Sequence, residues 1–212
     1  MSAPGPSIPA ATAATLKAES ILAAAQRSFL ASGFGAVTMD AIAREAGASK
    51  ATLYAYFASK EELFGAVVAR ESERYAEGFS ARELDPVDVE ASLTTIAVRF
   101  LRLVLSPDVV AINRIIIAEV VRFPVLAEVF WKAGPERVRV QLEAFFARAA
   151  AAGTLEIADA RLAAGQFASL VRGEVHLRRL FGVAGPADEA TLAAAATAAV
   201  ATFLRAFGTG RP

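Results

Sequence analysis

Residues 38–60 read TMDAIAREAGASKATLYAYFASK, and the order of caps and small side chains in this stretch decides the fold. Thr38 suits an N-cap, because its hydroxyl can accept from the free N–H groups of a first helical turn. Ala41, Ile42 and Ala46 then form the inward face of a short helix. Gly47 supplies the backbone freedom that a sharp turn needs. Ser49 caps a second short helix whose Leu53 and Phe57 point inward. Ala43 is small where the helices cross, and Ile42, Ala46, Ala48 and Leu53 hold the crossing. Two helices around a short glycine-containing turn make a helix-turn-helix. The outward residues of the second helix, Ser49, Lys50, Thr52, Tyr54 and Tyr56, supply hydroxyls, one ammonium and aromatic rings. That mixture suits phosphate oxygens and base edges. Helix N-termini at Thr38 and Ser59 add N–H donors where phosphates could dock, with Lys60 beside the second. Spacing alone does not separate this motif from any helix pair around a glycine in a helical protein.

Working outward, residues 1–14 hold Pro4, Pro6 and Pro9 among small side chains and read as a disordered arm. The arm has no Lys or Arg to insert into a minor groove, and no basic or apolar leader pattern. From Thr15 the pattern is helical, with apolar residues at three- and four-residue spacing and abundant alanine. Gly33 and Gly35 end a first helix; Pro86, Pro107, Pro124, Pro135 and Pro186 mark later joints. Long helices are predicted over 135–152, 158–181 and 186–207. The chain is expected to be all-α with about nine helices: a helix-turn-helix domain over 15–61 and a larger helical body over 62–212.

Composition narrows the chemistry. The 212 residues are 55% hydrophobic, with 22 basic and 22 acidic side chains, one histidine and no cysteine. A chain this long and apolar buries a core without disulfides or metals. Thiol nucleophiles and thiolate metal sites are excluded, and a His-rich metal centre is not available. With no Gly-rich phosphate loop and no HExxH, an enzyme is not expected, nor is a metal or cofactor. The apolar stretch 192–207 is about one turn too short to span a bilayer and holds Arg205, so a cytoplasmic protein without a membrane partner is expected. Zero net charge conceals a split: residues 1–60 carry five basic against three acidic groups, and the remainder seventeen against nineteen. A mildly basic head on a mildly acidic body fits weak nonspecific DNA affinity.

Residues 21–64, ILAAAQRSFLASGFGAVTMDAIAREAGASKATLYAYFASKEELF, resemble the N-terminal DNA-binding region of TetR-family transcriptional regulators. Ile21-Leu22, Ala24-Ala25, Phe29, Gly33-Phe34, Thr38, Ile42-Ala43, Ala46-Gly47, Ser49, Leu53-Tyr54, Phe57 and Ser59-Lys60-Glu61 carry the likeness in order. The resemblance implies an all-helical homodimer that binds double-stranded operator DNA and senses a small molecule in its body. It implies that Thr38 caps the supporting helix against a phosphate and that Ser49 and Lys50 open the recognition helix near backbone and bases. Thr52 and Tyr54 would face the groove, Tyr56 would reach a phosphate or base, and Lys60 would clamp a phosphate. Arg44 is a further phosphate candidate. Ala51 and Ala55 leave the recognition helix one cation, so bidentate arginine–guanine readout is absent from it.

In the body, residues 114–138 resemble the regulatory domain of one subgroup of that family. The aromatics there include Phe79, Phe145 and Phe146, mostly expected as core. A pocket for a small apolar or amphipathic effector is sought around Phe100, Asn113, Phe130, Trp131 and Phe167, with Arg102, Asn113 and Glu119 as polar anchors. The family's dimer interface lies on the last two long helices, which makes Phe181, Leu192, Val200, Phe203 and Leu204 interface candidates. His176 reads either as a structural or interface residue or as a pH switch. The function expected is a repressor released from a palindromic operator by its effector; a helical partner-binding or scaffold protein that keeps the head fold is the alternative.

Overall fold

The computed structural model describes residues 10–76 and 84–210, which form ten helices and, among the described residues, no strand beyond one isolated bridge, Leu155 to Gly208. The helices are α1 (Ala10–Ala36), α2 (Met39–Glu45), α3 (Lys50–Tyr56), α4 (Lys60–Ala76) and α5 (Val89–Leu105). They continue with α6 (Pro107–Glu119), α7 (Val125–Ala133), α8 (Pro135–Ala151), α9 (Ala160–Leu180) and α10 (Glu189–Phe207). The count is one above the nine or so expected. Helix α1 begins at Ala10, inside the stretch expected to be a disordered arm; residues 1–9 of that arm, and Phe79, lie outside the described residues.

Local chemistry sets the boundaries. Pro107 and Pro135 occupy first-turn positions, where a missing N–H costs nothing. Asp88, Ser106, Asp159 and Asp188 cap α5, α6, α9 and α10 by accepting from the N–H three residues on. Gly33 takes φ of +76° near the end of α1, a left-handed conformation that a β-carbon makes costly.

Two cores result. The body core joins α5, α8, α9 and α10 around Phe146, Phe167 and Phe203, each fully buried, with ring centroids 5.1–5.8 Å apart. Such contacts add about 0.5–1.5 kcal/mol per pair beyond the area they bury. The second core holds the head helices α1–α3 but also takes Leu63, Phe64, Val67 and Val68 of α4, Ile112 of α6 and Leu126 of α7. Head and body therefore share packed side chains, and a shift of α4, α6 or α7 is felt in both.

Two expectations are overturned here. Leu192, Val200 and Phe203 are not interface residues but body core, at 5%, 2% and 0% exposure, and Leu204 packs against that core. An apolar stripe on one helix is satisfied equally by its own fold or by a partner, and α10 lies against α5 and α9. Length is the other correction. At 19 residues α10 is long and apolar enough to cross a membrane. Its buried stripe packs inside the body, and the remaining face is rich in alanine, which adds to the hydropathy.

Candidate nucleic-acid interface and effector cavity

The helix-turn-helix forms as its caps require. Thr38 Oγ1 accepts from Ala41 N at 3.2 Å, and Ser49 Oγ accepts from Thr52 N at 3.0 Å. Gly47 turns the chain at φ of +57°, and Ala48 N donates to Ala43 O at 2.9 Å to close the corner. From α1, Lys17 Nζ donates to Gly47 O at 2.8 Å, and Arg27 and Ser28 both hold the Glu45 carboxylate. The hydrogen bond from Ser28, more than the charge of Arg27, keeps that carboxyl below the usual range. The corner is thus tied to α1 at the C-terminal end of α2.

On α3, Lys50 and Tyr54 are exposed, and Tyr54 is the more open of the two tyrosines. Lys50 pairs with Asp40 at 3.0 Å across the two helices, and the hydrogen bond it donates to that carboxylate holds the ammonium more firmly protonated. The Thr52 hydroxyl is 2.8 Å from Ser49 Oγ, so these two hydroxyls act as a pair. Tyr56 is half-buried against the head core rather than fully outward. Arg44 is exposed and bonds only the carbonyl of Asp40 on its own helix, at 3.4 Å.

Lys60 faces inward. Its ammonium donates to Phe34 O and Val37 O, each at 2.8 Å, and lies 4.2 Å from the centroid of the Phe34 ring. Burial pulls its pKa below the ordinary lysine value. The expected phosphate clamp is therefore a tie across the α1–α2 connection, where backbone carbonyls left free by the Gly33 break need a donor. The N-terminus of α4 is likewise occupied: Glu62 Oε2 accepts from Ala58 N at 2.8 Å, which sets a carboxylate where a phosphate was expected.

The α1–α2 connection is also gripped from the body. Gly35 N donates to Glu119 Oε1 at 3.0 Å, and Phe123 packs its ring edge-on against Phe34 at 5.3 Å. A β-carbon on Gly35 would come within 3.2 Å of the Glu119 carboxylate and the Phe123 ring. Glu119 is thus a joint residue, not a ligand anchor, and Arg102 pairs with Glu189 on the body surface.

Asn113 keeps its expected place. With Phe100, Phe130 and Trp131 it lines a cavity of about 320 Å³ between α4, α5, α6, α7, α8 and α9. Phe167 does not reach it and belongs to the core, because α9 turns that face toward α8 and α10. Glu71, Ser72, Arg139, Arg172 and His176 also line the cavity and escape a reading of aromatics alone. The four-residue spacing of Arg172 and His176, one helical turn, is the signal that the sequence offers for them. Among the described residues, no group of three His, Asp or Glu side chains is placed to hold a metal ion.

Comparison with known proteins assigns this geometry. Residues 21–67 match the tetR family of bacterial regulatory proteins, and residues 91–209 match the C-terminal domain of AefR-like transcriptional repressors. The solved structure of the flavonoid-responsive regulator FrrA is 38% identical, with a TM-score of 0.75 over 93% of this chain and all of that one. The chain belongs to the TetR family of transcriptional regulators. A TetR-family regulator from Mesorhizobium loti is 27% identical, with a TM-score of 0.78 over 92% of this chain and 98% of that one. An HTH-type transcriptional regulator of Mycobacterium tuberculosis is 38% identical over 89 residues. That match takes in 42% of this chain and 44% of the relative, so the chain spans less than half the length of this curated relative. In this TetR-family regulator the N-terminal match takes in α2 and α3, and the C-terminal match opens within α5.

Proposed function

We propose that the chain is a homodimeric repressor that leaves a palindromic operator when a ring-bearing amphipathic effector enters the body cavity. The carrying observation is α6. Its first half, through Val109, Ile112 and Asn113, walls the cavity, and its last residue, Glu119, holds Gly35 beside the DNA-binding helices. A rigid helix of thirteen residues with one end in each place converts an effector-induced tilt into rotation of the head. The effector acts only as far as it prefers the tilted state. The name of FrrA, a flavonoid-responsive regulator, supports a polycyclic effector with polar edges.

On the DNA side, α3 enters the major groove with Lys50, Thr52 and Tyr54, and Ser49 and the α2 cap at Thr38 lie at its edge. Arg44 and Tyr56 flank it toward the backbone. Half-sites lie about one helical turn of DNA apart. Dimerisation uses the outer face of α9 and its C-cap, where Leu162, Leu170, Leu177 and Phe181 stand exposed at spacings of eight, seven and four residues. A cytoplasmic location follows from that role.

Gel-shift titrations on the DNA flanking its own gene test the proposal, with and without a panel of flavonoids. Specific binding that competitor DNA does not abolish, and that a panel member releases, supports it. Binding no tighter than to random DNA at moderate salt overturns it and favours the scaffold alternative.

A further inference from the structure

Among the ionisable groups lining the cavity, two are already neutralised. Glu71, 1% exposed, pairs with Arg74 at 3.3 Å, and Arg139 pairs with both Glu136 and Glu143. Arg172 is different. Its guanidinium is half-buried, its Nε is out of solvent without a hydrogen-bond partner, and no carboxylate among the described residues lies within ion-pair distance. It lies 5.5 Å over the Phe100 ring, on the same wall as His176. A desolvated guanidinium with a spare N–H is a costly arrangement, and a polar group left so is the kind that an absent anion satisfies. The backbone is bent at this point: Gly173, the next residue, takes φ of +46° inside α9. Apolar walls from Phe100, Leu103, Val104, Phe130 and Leu142 complete the cavity.

From this we infer that the effector is a singly charged anion, its acidic group seated on Arg172 beside His176 and its rings between Phe100 and Phe130. The inference rests on the effector-sensing reading and specifies its chemistry. A carboxylate satisfies the guanidinium with two parallel N–H···O bonds. A neutral polar-edged ring system could accept an N–H but would leave the guanidinium without a counter-charge, and a cationic one would meet a like charge.

The chain contains one tryptophan and one histidine, and both line the cavity, so two intrinsic probes report on it. Trp131 fluorescence is titrated with 2-naphthoate and with 2-naphthamide, which have nearly the same shape and differ in charge, using the full-length dimer. The acid is expected to bind about tenfold or more tightly than the amide, because a hydrogen bond to a charged group is worth that factor. Arg172→Met should remove the preference, weakening the acid far more than the amide, and Arg172→Lys should restore part of it. On binding naphthoate, the NMR titration of His176 should move to higher pH, and on binding the amide it should not. Equal affinity for the two probes overturns the inference, as happens if an acidic residue of the partner subunit already neutralises Arg172. A preference that survives in Arg172→Met also overturns it. Binding of 2-methylnaphthalene but neither polar probe overturns the anion while leaving the sensor standing. If no naphthalene binds and no flavonoid releases the DNA, the sensor itself fails.

Discussion

At the scale of single residues, the cations of the head are ordered by what they already hold. Lys17 and Lys60 are tied to backbone carbonyls, Arg27 to Glu45, and Lys50 to Asp40 on the exposed face. Lys60→Met should therefore act on folding rather than on DNA. Leaving the Phe34 and Val37 carbonyls without their donor should lower stability by about 1–3 kcal/mol in urea melts. The salt dependence of DNA binding should keep its slope, because no phosphate contact is removed. His176 gives a second expectation. Burial first, then the charge of Arg172, holds its pKa below the ordinary 6.5. As pH falls past that value the unfolded chain takes up a proton that the folded one refuses, so stability is lost below about pH 6.5 and retained above it. Thermal melts of wild type and His176→Gln should run parallel above that pH, and only the wild type should acquire the extra loss below it.

At the scale of helices, α6 and α9 each serve two masters. Helix α6 walls the cavity at one end and grips the α1–α2 connection at the other. Glu119→Ala should bind the effector as before but answer it less. The factor by which effector weakens operator binding should fall about fivefold or more, the lower range of allosteric coupling energies. Operator affinity measured with and without saturating effector checks this; an unchanged factor would show that coupling runs elsewhere. Helix α9 buries Ala163, Ala164, Phe167, Ala168 and Val171 in the body core while exposing Leu162, Leu170, Leu177 and Phe181. A helix with exposed apolar residues beside its buried stripe suits a second packed layer, and the described residues supply only one.

At the scale of the whole molecule, the proposed dimer would supply the second layer from another copy, and the symmetric pair would set the operator's spacing. Leu177→Glu places a carboxylate at 52% exposure in the middle of that outer face, away from the protomer's own core. The variant should fold with its helix content intact, sediment as a monomer, and lose operator affinity by about a hundredfold or more, since two half-sites no longer act together. A dimeric Leu177→Glu protein would place the interface on another face. Charge behaves similarly across scales. The five basic and three acidic groups of residues 1–60 look like a small excess available to DNA. Once folded, most of those cations already have partners, and Arg27, Arg44 and Lys50 are the ones that stay exposed.

What the sequence by itself determined is the local part of this protein. The caps at Thr38 and Ser49, the turn at Gly47, the proline-opened helices and the order of elements all rest on contacts within a few residues, which spacing reports directly. Phe100, Asn113, Phe130 and Trp131, sought as pocket residues for their size and polarity, line the cavity, whereas Phe167, chosen on the same grounds, does not. Tertiary structure alone decided which of two equivalent faces meets which neighbour. It sent Phe167 and the α10 stripe into the core rather than to pocket or partner, and turned Lys60 from solvent to the carbonyls of Phe34 and Val37. It also left Arg172 without a counter-charge among the described residues. A periodic pattern records that a face is apolar, and a formal charge records that a group is ionised. Neither records what stands opposite, and the energy of burial or pairing depends on that opposing surface.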